Sequence, residues 1–290
     1  MNILITGANG QLGSEIRVLS AQYAQHRFFM TDVAELDITD RASIRNYCVT
    51  NNIDSIINCA AYTNVDKAEE DEQTAHLLNA LAAENLAVVA QETDARLVHI
   101  STDYVFNGAA CVPYREQDKP EPRTAYGRTK LEGERLVTKA CPTAIIVRTA
   151  WLYSSFGNNF VKTMLRLSET NNSLRVVYDQ IGTPTYARDL AKAVLQILID
   201  KGGETLNGDG NNIYHFTNEG VCSWFDFTKE IFHLAGVDCE VEPIRSEQYH
   251  YRTPRPHYSV LDKQKIKDCF SITIPYWTDS LRDCLTILRG

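Results

Sequence analysis

Asn2-Ile3-Leu4-Ile5-Thr6-Gly7-Ala8-Asn9-Gly10-Gln11-Leu12-Gly13 is the stretch whose reading decides the fold. An apolar run without polar alternation suits a strand covered on both faces of a parallel sheet. Glycines at 7, 10 and 13 follow at once, and Leu12 to Tyr23 reads as a helix. Glycine lets the backbone turn tightly and approach a pyrophosphate, and the helix N-terminus offers free N–H groups and the positive end of its dipole. The spacing G-x-x-G-x-x-G is weak evidence by itself. Its place between a strand and a helix makes it a dinucleotide-site signature, with a plain strand–turn–helix as the alternative.

Outward from this loop the pattern repeats. Phe28 to Met30 reads as a second strand, ending at Thr31 and Asp32. A carboxylate there can accept from ribose hydroxyls and repels a 2′-phosphate, which favours NADH. Asp32 is equally a surface-loop residue, so NADPH and NADH both stay open. Asp40 is placed to cap a helix running to about Thr50. Ser55 to Cys59 is a third strand, Asp71 to Thr93 one long helix, and Arg96 to Ile100 a fourth strand. Residues 107–124 read as a loop, Ala125 to Lys139 as a helix and Ala144 to Arg148 as a fifth strand. This alternation predicts an α/β protein with a Rossmann-type, doubly wound parallel sheet. Asp37, Ile38, Ala60, Ala61 and Tyr62 fall near strand ends, where such cofactors lie.

After residue 150 the elements shorten, punctuated by Gly202, Gly203, Gly208, Gly210 and by prolines at 243, 254 and 256. The division expected is 1–150 for cofactor binding and 151–290 for a smaller mixed α/β substrate domain. Ala187 to Asp200 is expected to return to the main sheet as a helix, so the two parts interleave.

Composition narrows the classes. Of 290 residues, 44% are hydrophobic and 23% charged, and the net charge of −8 comes without a basic run, which argues against nucleic acid. No apolar run approaches the roughly 18 residues of a membrane span. The chain starts at MNILITG without a leader-like segment, and its 8 cysteines form no C-x-x-C pair. Reduced thiols in the cytoplasm are the simplest reading, with no zinc or redox motif.

The chemistry is expected at Ser101-Thr102-Asp103, following the fourth strand, and at Tyr126 and Lys130 on the next helix. Residues four apart share a helix face, so Tyr126 and Lys130 reach one cleft. Ketone reduction needs a hydride on carbon and a proton on oxygen. A free Tyr titrates near 10, and an adjacent ammonium would lower that value toward a working general acid. Thr102 is placed to donate to the substrate oxygen as charge develops. Y-x-x-x-K alone is common by chance; the glycine loop, Thr102 and their order along the chain give it meaning.

These motifs resemble the extended short-chain dehydrogenase/reductases. GANGQLG, STDYVFNG, YGRTKLEGE, VRTAWLYSSFGNNFV, DQIGTPTYARDLA, YHFTNEGVCSWFDF and RPHYSVLD carry a finer likeness, over nearly the whole chain, to bacterial reductases of 4-keto-6-deoxy sugars carried on dTDP. The resemblance implies catalysis by Thr102, Tyr126 and Lys130. It implies cofactor contacts from Gly7, Gly10, Gln11, Leu12, Gly13, Asp32, Asp37, Ile38, Ala60, Ala61, Tyr62, Tyr126 and Lys130. For the dTDP-sugar it implies Thr102, Asp103, Trp151, Gln180 and Thr183 through Tyr186, with Arg148 and Arg255 as diphosphate partners or, equally, structural ion pairs. Trp151 is equally a core residue. Related 4,6-dehydratases carry Thr-Asp-Glu where this chain has Thr102-Asp103-Tyr104, so a single hydride transfer fits better. Reduction of another 4-keto sugar nucleotide and a non-catalytic NADP-binding regulatory subunit are the competing readings. Some family members form a homodimer, some through a divalent cation such as Mg2+ at the interface. Glu15 is a conceivable ligand, but it has no convincing partners, so no metal site is assigned.

Overall fold

The computed structural model describes residues 1–199, 212–249 and 251–289. Its first half alternates strictly: β1 (Asn2–Thr6), α1 (Gln11–Ser20), β2 (Arg27–Met30), α2 (Arg41–Asn51), β3 (Ser55–Asn58) and α3 (Val65–Glu70). Next come α4 (Glu72–His76), α5 (Ala82–Glu92), β4 (Arg96–Thr102), α6 (Ala125–Ala140) and β5 (Ile145–Thr149). The second half holds β6 (Leu152–Tyr153), α7 (Phe160–Ser168), β7 (Ser173–Val177), β8 (Ile181–Gly182), β9 (Thr185–Tyr186) and α8 (Ala187–Ile199). It closes with β10 (Ile213–His215), β11 (Cys222–Ser223), α9 (Trp224–Ala235), β12 (Glu240–Ile244), α10 (Gln264–Phe270) and α11 (Trp277–Arg289).

The main sheet is six-stranded in the order β10-β5-β4-β3-β1-β2, with every pairing parallel. Strand order reverses direction at β1 and β3, and a parallel sheet opens a crevice at such a point, beyond the carboxyl ends of its strands. One face packs Ile3, Ile5 and Val98 against Ile16 of α1 and Leu190 and Val194 of α8. The other packs Leu4, Ile56 and Leu97 against Ile44, Leu86 and Val137 of α2, α5 and α6. Both faces are covered, which is why β1 and β3 read as unbroken apolar runs.

The helix expected over 71–93 holds a π-helical turn at Leu77–Leu81 between α4 and α5. A π-turn inserts one extra residue, so no 3.6-residue pattern announces it. Its Asn79 is buried and grips Tyr62 by both backbone groups, at 2.8 and 3.1 Å, and the Thr129 hydroxyl at 3.1 Å. Two elements were not expected. α3 is one short helix, capped by Asn64, and β10 adds a sixth strand from well beyond residue 150. Three residues carry too little pattern to be read in advance. Gly202, Gly203, Gly208, Gly210 and Asp200 lie outside the described residues.

The remaining elements form a second apolar cluster around Tyr153, Val161, Phe227, Trp277 and Leu281. It contains the parallel pair β7–β12 and the small pairs β6–β9 and β8–β11.

Candidate active site

The glycine loop sits at the switch point. Gly7 has φ +64°, and a Cβ there would lie 2.7 Å from the Ala60 nitrogen. A Cβ on Gly13 would meet Ala8 Cα and the Gly7 carbonyl at 2.5 Å, so Gly13 serves packing of α1 on the loop and not the cavity wall. No side chain caps α1, which leaves its N-terminus to a ligand. Asp32 accepts from Asn9 and Val33 N–H groups, at 3.0 and 2.9 Å.

Three adjoining cavities run along the crevice. The first, about 430 Å³, is lined by Gly7, Gly10, Asp32, Asp37, Ile38, Ala60 and Ala61. The second, about 520 Å³, shares Gly10 and Ala61 with it and adds Gln11, Leu12, Thr102, Asp103, Tyr126, Lys130 and Trp151. The third, also about 520 Å³, shares Trp151 and Tyr104 with the second and reaches Gln180 and Arg255. The residues present fit a dinucleotide along the first two, where Gly10 without a side chain lines both cavities and the helix end is uncapped.

Within the second cavity Thr102 donates to Asp103 Oδ1 at 2.9 Å, and Tyr126 lines the same wall. Burial pushes the Asp103 carboxyl up to about 7, against the hydrogen bond from Thr102, while its Oδ2 has no partner. Thr102 thus already has a hydrogen-bond partner in Asp103. Burial also pushes the Tyr126 phenol well above its usual range, and its ring stands edge-on to Tyr104 at 5.4 Å.

The structure corrects the expected tuning of Tyr126. The phenol is shifted chiefly by its burial, while Lys130 Nζ donates to the Ile100 carbonyl at 2.7 Å and lies 3.4 Å from His99 Nε2. Burial outweighs any charge effect, so Tyr126 stays protonated at neutral pH. Lys130 itself is lowered to about 8 by burial, opposed by Glu134.

The other expected residues differ in placement. Arg148 does not face the crevice. It is 1% exposed, and Nε and Nη2 meet both Glu134 oxygens at 2.8 and 2.7 Å. Glu134 also accepts from Ser101 at 2.5 Å, so the arginine joins β5 to α6 beneath the site. Thr183 is buried and donates to the Gly220 carbonyl at 2.9 Å; Thr185 donates to Ala150. The half-buried Tyr62 packs with Ala68, Ala75 and Ala125, on the same small cluster as Tyr126. Glu15 is fully buried, with one oxygen accepting from Ser154 at 2.6 Å and the other from Arg188 at 2.9 Å.

Arg255 does line the third cavity, paired with Asp66 at 2.8 Å and hydrogen-bonded to Tyr104. Trp151 has φ +48°, unusual for a bulky residue, and stacks on Trp224 with ring centroids 3.4 Å apart. Trp224, Phe160, Tyr249 and Tyr251 line the same cavity and were not singled out from sequence. The run Trp224-Phe225-Asp226-Phe227 was the available signal, but helix periodicity cannot tell a core aromatic from a cavity-lining one.

Fold and site together define a dinucleotide-binding α/β protein with a buried Tyr–Lys pair at the switch point. The RmlD substrate binding domain model matches residues 1–289, and the chain belongs to that family. It is 42% identical to a dTDP-4-dehydrorhamnose reductase of Mycolicibacterium smegmatis, over 99% of this chain and 86% of that one. A dTDP-4-dehydrorhamnose reductase structure from Clostridium acetobutylicum superposes with TM-score 0.92 at 43% identity, covering 100% of both chains. One from Bacillus anthracis, in complex with NADP, superposes with TM-score 0.92 at 37% identity, covering 99% of each.

Proposed function

We propose that this chain reduces the C4 ketone of dTDP-4-dehydro-6-deoxy-L-mannose to give dTDP-L-rhamnose, with NADPH or NADH as reductant and Tyr126 as proton donor. The observation that carries the reading is the grouping of Tyr126 and Lys130 with the Thr102–Asp103 hydrogen-bonded pair. It is buried in a cavity continuous with the glycine loop. The names of the relatives and the NADP in the B. anthracis structure support it.

The reduced nicotinamide supplies the hydride. Tyr126, kept protonated by burial, gives its proton to the ketone oxygen, and the phenol is restored from solvent. Thr102 orients the phenol, Lys130 holds the cofactor ribose, and Gly7, Gly10, Gln11 and Leu12 take the pyrophosphate. Asp32, Asp37 and Ile38 take the far ribose. Trp151 and Asp103 border the sugar, with Gln180 and Arg255 along the nucleotide. In this reading residues 1–150 with α8 and β10 hold the cofactor, and the other elements hold the sugar nucleotide. It assigns a cytoplasmic enzyme that forms a homodimer, and it assigns no Mg2+.

The test is a panel of 4-keto sugar nucleotides given to purified protein with NADPH or NADH. Fastest cofactor oxidation with the dTDP-6-deoxy-L-lyxo-4-hexulose is expected. Faster turnover of another sugar would reassign the substrate, and cofactor binding without oxidation of any would point to a regulatory subunit.

A further inference from the structure

Thr6 and Asn58, the last residues of β1 and β3, and His99, midway along β4, occupy one row as direct register partners. All three are about 1% exposed, and none belongs to the catalytic set above. Lys130 of α6 covers the end of this row.

The row has a single consistent hydrogen-bonding sense. Asn58 Oδ1 accepts from the Ala60 backbone N–H at 3.1 Å and from the Thr6 hydroxyl at 2.8 Å. A backbone N–H can only donate, so the oxygen must face Ala60 and the NH2 must face the other way. That NH2 lies 3.0 Å from His99 Nδ1, which must then be an acceptor without a proton. Burial holds His99 well below its ordinary range, so the ring is neutral and carries its one proton on Nε2. Nε2 lies 3.4 Å from Lys130 Nζ, and Nζ also donates to the Ile100 carbonyl at 2.7 Å.

An ammonium has three N–H groups and no lone pair. Facing an imidazole N–H it has nothing to accept with, whereas a neutral amine does. We propose that His99 is a positioning residue for Lys130: fixed as the Nε2–H tautomer by Asn58, it presents a donor to the lysine nitrogen and favours the neutral amine over the ammonium. Lys130 then changes charge within the neutral range, and its state is tied through Thr6 to the strand end that enters the glycine loop.

The other groups around Lys130 act differently. Glu134, one turn along α6, favours the ammonium. Cys59 is kept a neutral thiol by burial, Tyr126 a neutral phenol, and Asp103 titrates near 7 on the far side of Thr102. None of these supplies a donor to Nζ. The inference rests on the reading of Lys130 as a catalytic-site residue, but its test does not require turnover.

The experiment is nitrogen-15 NMR of histidine-labelled full-length protein, with the His99 signal assigned by its loss in His99→Phe. The expected spectrum shows His99 as Nε2–H, unchanged from pH 6 to 9; an Nδ1–H tautomer overturns the proposal. In parallel, the Lys130 side-chain carbon signal is titrated, assigned by its loss in Lys130→Met. His99→Phe and Asn58→Leu each remove the enforced donor and are expected to raise the Lys130 midpoint by about one pH unit, tenfold in proton affinity. The lysine-dependent limb of the kcat/KM pH profile should move with it. A midpoint that stays or falls in whichever variant folds contradicts the proposal, and the wild-type tautomer decides if neither folds. Correct tautomer and titration without reduction of any sugar would instead refute the catalytic reading and leave this one standing.

Discussion

The second and third cavities meet at Trp151 yet are built on opposite plans. The second is cut into the ends of long parallel strands. Several of its polar side chains are buried and engaged: Thr102 with Asp103, Lys130 with Ile100, and Ser101 with Glu134, which Arg148 holds from beneath. The third is walled by Trp151, Phe160, Trp224, Tyr249 and Tyr251, which come from loops, short strands and helix ends. A sheet end holds atoms to within tenths of an ångström, as proton transfer requires. Aromatic walls instead supply area and shape with few fixed hydrogen bonds. Chemistry is thus placed on the rigid part and recognition on the variable part.

Substitutions break this contrast in a graded way. Tyr126→Phe removes the only atom that the proposed reaction takes from the second cavity, and kcat should fall by about 10²–10⁴-fold. Cofactor affinity measured by fluorescence titration should be unchanged; loss of cofactor binding as well would show that the hydroxyl is structural. Arg148→Ala should cost about 3–5 kcal/mol of stability, because it leaves Glu134 buried and unpaired. Chemical denaturation checks this, and a stable variant with raised KM would restore Arg148 as a diphosphate partner. In the third cavity Trp224→Ala should raise the KM for the sugar nucleotide several-fold, about 0.5–1.5 kcal/mol, through loss of the stack on Trp151. Its kcat should stay within about twofold, and an equal fall in kcat would mean that the two cavities are not separable.

The smallest effect is one of pH. The folded-state value of Asp103, about 7, stands above its unfolded value near 3.8. The folded protein therefore binds more protons than the unfolded one between those values, and this group's contribution weakens folding as pH rises through that window. Asp103→Asn should raise Tm more at pH 8 than at pH 4. An equal shift at both pH values would mean that the carboxyl is not titrating near neutrality.

The two regions also differed in legibility. β1, the glycine loop and the Tyr126–Lys130 spacing were readable because each rests on a local rule: an apolar run, a residue without Cβ, four positions along a helix. Asp40 likewise caps α2 as read, accepting from Ala42. What failed was long-range. Arg148 carries a charge and lies in a family-like motif, but only the packing of α6 on β5 reveals Glu134 beside it. The Tyr126 phenol was expected to be tuned by its neighbour four residues on, whereas the depth of the cavity sets its proton affinity. The row Thr6-Asn58-His99 exists only through strand register, and β10 joins the sheet from more than sixty residues beyond β5. The aromatic wall of the third cavity came from residues whose spacing equally suits a core.

The central claim is that a hydride reaches the sugar C4 while Tyr126 protonates its oxygen. The most direct measurement uses NADPH or NADH deuterated at the transferable position, with dTDP-6-deoxy-L-lyxo-4-hexulose and the purified protein, followed by mass and NMR analysis of the sugar. One deuterium at C4 of dTDP-L-rhamnose per cofactor oxidised is the predicted result. Cofactor retained in its reduced form beside unchanged keto-sugar, or deuterium at any other carbon, would contradict it.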